Sequence, residues 1–322
     1  MIERRSALLL LGALAAACRG SRSPLAPAPP PEPALALDPL ADLASGAGLV
    51  WLVQARPRDL LTSAVLTEAV ATVVPANRFD AFAGRHGGVD LRLAREVVVC
   101  GYPEATLALA RVDVEPSRVE RAFAERVEVD GRADDGGVRR AWGTVGTERT
   151  QVAIFGSEAV GLERGRLGPL LPAIYFAQGK LRRSLPALRA EPLASLAALV
   201  GEAPLRGFAP GPFEGAWAQG FGGLLRGATA VGGALRGAAQ DWALRLVVAG
   251  AWAADAPAAA LRLGASVHLI AEDPLCRLMG IGPMRTSAAP GALQVDIPLD
   301  PVALARGLSA ATGADVRGIM TF

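Results

Sequence analysis

Hydrophobic and polar positions alternate over short stretches of this chain and recur at helical spacing between them. Glu96–Tyr102 (EVVVCGY) and Ala105–Asp113 (ATLALARVD) read as two strands joined at Pro103-Glu104, a hairpin. Gly48–Ala55 is a further strand-like run, followed by an amphipathic stretch over Arg58–Val74. Arg139–Val145, Gln151–Phe155 and Ala159–Leu162 are short strand candidates with Gly-, Thr- and Glu-rich loops between them. Arg226–Gly237 and Trp242–Gly250 suggest a second hairpin, in which Leu244, Leu246 and Val248 alternate with their neighbours as in a sheet with one buried face. Pro169–Val200 reads as mostly helical, and Pro204–Gly223, rich in glycine and proline, reads as a hinge between halves.

One local grammar recurs. A strand leads into a proline that opens an amphipathic helix at Pro57, Pro116 and Pro301, and more loosely at Pro257. Proline suits the first helical turn because its missing amide would be unpaired there anyway. Asp255 and Asp300 are placed to cap the exposed amides and oppose the helix dipole. The pattern predicts an α+β class, with mixed or antiparallel sheets and helices on one face. Either two ferredoxin-like duplicated lobes or one long curved sheet fits it. The boundaries expected are an N-terminal lobe over 38–203 and a C-terminal lobe over 204–322.

The first residues follow different rules. Arg4 and Arg5 form a positive start, and Ser6–Leu14 is an apolar run too short to span a bilayer of roughly 30 Å. Leu14-Ala15-Ala16-Ala17-Cys18 then resembles the lipobox of bacterial lipoproteins, with Ala15 where that family usually has leucine. The resemblance implies cleavage before Cys18, with residues 1–17 a discarded signal peptide and the Cys18 thiol carrying a diacylglyceryl group. Residues 18–37 hold prolines at 24, 27, 29, 30, 31 and 33. That density prevents helix or sheet from propagating and leaves a semi-rigid spacer of about 3 Å per residue. Arg19 is not the aspartate that favours inner-membrane retention in many such lipoproteins, so the resemblance points to the outer membrane, facing the periplasm. The chain as a whole resembles lipoproteins of high-GC Gram-negative bacteria of the myxobacterial type, specifically so only over its first 35 or so residues.

Composition narrows the chemistry further. The 322 residues carry 33 basic and 31 acidic side chains, so a strongly basic nucleic-acid binder is not expected. Two histidines and three cysteines offer little for a multi-ligand metal or haem site, and no cofactor is implied. Cys100 and Cys276 would enter an oxidising compartment, where a disulfide between them is permitted and two separate buried thiols are the simpler expectation. His86, in Gly84-Arg85-His86-Gly87-Gly88, reads as a solvated loop histidine. A catalytic set using Asp80 or Asp90 with Ser63 or Ser157 lacks any local activation signature. His268 reads as a boundary helix residue, and Asp130–Gly137 as a solvated hairpin tip.

The resulting expectation is a non-enzymatic envelope lipoprotein. Its partners would be the membrane, through the lipid, and an envelope protein or apolar ligand. Two alternatives stand beside it: a periplasmic carrier of an acyl chain or other apolar ligand, with room beneath helices at the small-residue region Arg226–Gly250, and an envelope hydrolase without a recognisable motif.

Overall fold

The structure, a computed structural model, describes residues 35–37, 39–166, 168–181, 185–238, 241–252, 255–272, 284–289 and 291–312. Cys18, the tether before residue 35 and Cys276 lie outside the described residues. Twelve strands form one sheet, and every neighbouring pair is antiparallel. They are β1 (Trp51–Ala55), β2 (Glu96–Tyr102), β3 (Ala105–Arg111), β4 (Glu128–Asp135), β5 (Val138–Val145), β6 (Glu148–Phe155), β7 (Ala159–Gly165), β8 (Leu205–Pro210), β9 (Ala228–Ala238), β10 (Asp241–Gly250), β11 (Arg285–Ala289) and β12 (Ala292–Leu299). Their order across the sheet is β11-β12-β10-β9-β8-β1-β2-β3-β7-β6-β5-β4.

The expected α+β class is what the chain adopts, as the single long sheet. The expected hinge, Pro204–Gly223, instead contributes β8, which bonds to β1 on one side and β9 on the other. Strands from before and after residue 204 therefore belong to one hydrogen-bonded ladder.

The helices include α1 (Pro57–Leu60), α2 (Ala64–Val73), α3 (Ala76–Arg85), α4 (Pro116–Ala124), α5 (Leu170–Ala177), α6 (Leu193–Val200), α7 (Ala256–Glu272) and α8 (Pro301–Thr312), with a further kinked turn at Gly220–Gly223. The strand–proline–helix grammar holds at Pro57, Pro116 and Pro301, each the first residue of its helix, and at Pro257, the second residue of α7. Asp300 caps α8 as expected, its carboxylate accepting from the amides of Val302 at 2.9 Å and Ala303 at 3.1 Å.

Helices pack on both faces of the sheet, not on one. Side chains directly opposite across a ladder share a face, and successive ones alternate. Leu52, Cys100, Leu107 and Phe208 thus line one face, with Val98, Leu109, Ala153 and Phe155. There they form a core with α5, α6 and the short 3-10 turn Leu40–Leu43. Val152, Ile154, Val160 and Leu162 point the other way and meet α3 and α4 through Phe82, Val119 and Phe123. On that same second face, Val248, Leu293 and Val295 pack against α7, and Trp242 and Leu299 pack beside α2 and α8. Strands buried on both sides lose the clean alternation of a one-sided sheet, which is why the pattern alone suggested a single helical layer.

The small residues of β9 have a definite use on the first face. A Cβ at Gly232 would sit 2.9 Å from Val200 and 3.1 Å from Leu196, so the glycine lets α6 seat directly on the sheet. The space expected beneath helices at Arg226–Gly250 is filled there by these two side chains.

Two buried glutamates tie the first-face cover to the sheet. Glu96 accepts from the amides of Leu40 at 2.7 Å and Ala41 at 3.1 Å, and from the Gln54 side-chain amide at 2.6 Å. The Gln54 carbonyl oxygen in turn accepts from the buried Arg206 guanidinium. Glu163, fully buried, accepts from Gln151 Nε2 at 2.5 Å and from the amides of Gly168 at 2.5 Å and Leu170 at 2.8 Å. Each carboxylate therefore satisfies orphan donors at the start of a helical turn, where negative charge is favoured.

Candidate binding site

The second face carries the features a ligand could use. Beneath α3 lies a recess of about 120 Å³ whose lining is almost wholly apolar: Phe82, Val89 and Leu91 above, and Val97, Ala108, Val160 and Leu162 on the sheet. α3 reaches the sheet here through Phe82, which is buried, and Phe79, which is partly buried, above a floor in which Val97, Ala108 and Val160 are small or β-branched. Toward the middle of the sheet, on this second face, β1 presents Trp51, 39% exposed, and Val53, 38% exposed. Gly101 makes room for that indole, since a Cβ there would meet the Trp51 ring at 2.2 Å.

His86 borders this region but is not a solvated loop residue. It caps the end of α3, is 3% exposed, and its ring lies 4.3 Å from that of Phe82. The chain can turn sharply after it because Gly87 adopts φ +67° directly against the Arg118 carbonyl, at 2.6 Å from any added Cβ. Arg126 Nη2 lies 3.3 Å from His86 Nδ1. A guanidinium can only donate, so Nδ1 accepts and the ring proton is assigned to Nε2.

The notional catalytic partners are engaged elsewhere. Asp80 and Asp90 both bind Arg92, at 2.7 and 2.8 Å, and Arg92 holds the Asp90 carboxyl below the usual carboxylate range. Ser63 caps α2 through the Leu66 amide, and Ser157 lies in the β6–β7 turn. His268 is exposed on α7 and contacts Glu272 at 3.0 Å. Asp130–Gly137 spans β4 and the turn into β5. Asp135 pairs with Lys180 at 2.6 Å, which holds its carboxyl below the usual range.

Cys100 is a free thiol buried on the first face, and burial pushes it up to about 12, which disfavours the thiolate. Its proposed disulfide partner Cys276 and the lipidation residue Cys18 lie outside the described residues. Among the described residues no group of three or more His, Cys, Asp or Glu side chains is arranged to hold a metal, and no helix is long and apolar enough to cross a membrane.

Comparison with solved structures defines the class as an open α+β sheet fold shared with TP0453. The chain is similar to TP0453 in crystal form I, with a TM-score of 0.50 and 12% identity over 85% of this chain and 97% of that one. Crystal form III gives a TM-score of 0.50 and 13% identity over 85% and 99%. At this identity the likeness is one of fold. No family model and no curated protein matches the chain.

Proposed function

We propose that this chain is a lipid-anchored lipoprotein of the cell envelope whose body acts as a non-enzymatic binding module. In this reading the anchor is Cys18, the spacer is the proline-rich segment up to residue 37, and Arg19, not aspartate, beside the anchor supports the outer membrane, facing the periplasm. The structural observation that carries the binding half is the apolar recess beneath α3, open beside a strand that presents Trp51 and Val53 to solvent. Isolated exposed apolar residues are ordinary, but a recess lined almost wholly by them is a feature of ligand sites. The non-enzymatic half is supported by His86, whose Nδ1 is engaged by Arg126 and whose ring is packed on Phe82.

The anchor is tested by metabolic labelling with a clickable fatty acid, followed by membrane fractionation. Wild type is expected to carry label and sediment with membranes, and Cys18→Ala to lose both. Label retained in Cys18→Ala would refute the anchor.

A second reading, the carrier of an apolar ligand, is favoured by the same recess. Native mass spectrometry of the purified protein should then show a co-purified apolar adduct that Ala108→Phe displaces. A single unliganded mass for wild type would count against it.

A further inference from the structure

A second recess on the same face has a different chemistry. It lies between the end of α3, the end of α4 and strands β5–β7, has a volume of about 210 Å³, and shares Leu162 with the apolar recess. Phe123, Val127, Val145 and Leu162 form its apolar wall. Around them stand three guanidinium groups, Arg85, Arg126 and Arg164, against one carboxylate, Glu148, which pairs with Arg164. With His86 neutral, the lining carries a net charge of +2.

Arg126 is the informative member. It is half-buried at the exit of α4, and its partners are the Ala122 carbonyl at 3.0 Å and His86 Nδ1 at 3.3 Å. Both are neutral, and among the described residues no carboxylate pairs with it. A half-buried cation without a counter-ion is costly, and the normal solution is a paired anion. Burial, and then the nearby charge of Arg85, hold this guanidinium below its ordinary value. The site thus stores an electrostatic deficit that an incoming anion would relieve.

We infer that this recess binds the anionic head of a small organic phosphate, with the rest of the ligand lying on the Phe123–Leu162 wall. A phosphate monoester carries about −1.5 to −2 at neutral pH, which matches the charge of the lining. Arginine forks recognise phosphate oxygens bidentately, and Arg85 and Arg126 approach from two helix ends while Arg164 approaches from the sheet. The volume admits a head and a small apolar body, below the roughly 300–1,000 Å³ of drug-sized pockets. The inference rests on the body being a binding module but requires neither the lipid anchor nor the recess under α3, whose tests read out at Cys18 and in the co-purified mass.

The test is calorimetric titration of the full chain in non-ionic detergent with phenyl phosphate, phenol and inorganic phosphate at low ionic strength. Phenyl phosphate is expected to bind one per chain, about tenfold or more tighter than either phenol or inorganic phosphate. Arg126→Gln should weaken it about tenfold or more and Arg85→Gln, at an exposed helix end, severalfold. Arg166→Gln, in an exposed pair with Glu104 outside the recess, should leave it unchanged. Phenol binding as tightly as phenyl phosphate would overturn the proposal, as would inorganic phosphate binding as tightly. If Arg126→Gln fails to fold, Arg85→Gln decides: undiminished affinity there refutes the site.

Discussion

Glu163 shows how a single buried charge is made to serve the fold. Its carboxylate is sealed from water, and that burial raises the carboxyl above its usual value despite the donors from Gln151, Gly168 and Leu170 that favour the charged form. The folded chain therefore holds the proton more tightly than the unfolded chain. The stability this group contributes is full below the ordinary carboxylate value and falls as pH rises through the raised native one. Glu163→Ala would leave three donors unmatched, and urea unfolding should show a loss of at least about 1–3 kcal/mol. The deficit against wild type should be larger near pH ~4 than near pH ~7; an equal deficit would contradict the raised value. His86 makes the complementary point about legibility. A glycine-flanked histidine looks like a loop residue in sequence, and its burial depends on Phe82 one helical turn before it and on Arg126, forty residues later. Nothing local signals the second contact.

At the level of elements, α6 is held by shape more than by its own propensity. Leu196 is fully buried over Gly232, where only a hydrogen side chain leaves room for it. Leu196→Ala should cost about 2–5 kcal/mol, the range for a buried leucine whose site cannot collapse, read as a shifted urea midpoint with unchanged slope. A loss under about 1 kcal/mol would mean that α6 is not clamped to the sheet. The hairpin of β2 and β3, the runs of β5 to β7 and the proline-opened helices were legible because period-2 and period-3.6 patterns act locally. Among those that were not are three whose reasons are plain. The segment of α3 mixes Asn77, Arg78 and Asp80 with only two phenylalanines, so its apolar stripe is thin. β4 is an edge strand whose residues are mostly exposed, and it carries no buried face to alternate. β8 reads as a hinge because Gly207 and Pro210 punctuate it, yet it is a central strand by virtue of partners on both sides, β1 and β9. Strand identity there comes from long-range pairing, which no local window contains.

For the whole molecule, the continuous ladder from β11 to β4 puts both second-face recesses on one structural frame. The arginines that define the second recess come from α3, the exit of α4 and β7, so it exists only once the sheet and both helices are assembled. That is why composition, with its near balance of charge, gave no hint of a locally cationic site. The proposed anchor is the reverse case: the resemblance that suggests it lies entirely in Leu14–Cys18 and needs no fold to be read. Everything proposed about where the body works depends on the fate of that cysteine. The most direct measurement is intact-mass analysis with N-terminal peptide mapping of protein purified from a Gram-negative host. A mature chain starting at residue 18 and bearing acyl mass on that residue is the result predicted. A chain that keeps Met1–Ala17 with an unmodified thiol at Cys18 would contradict it.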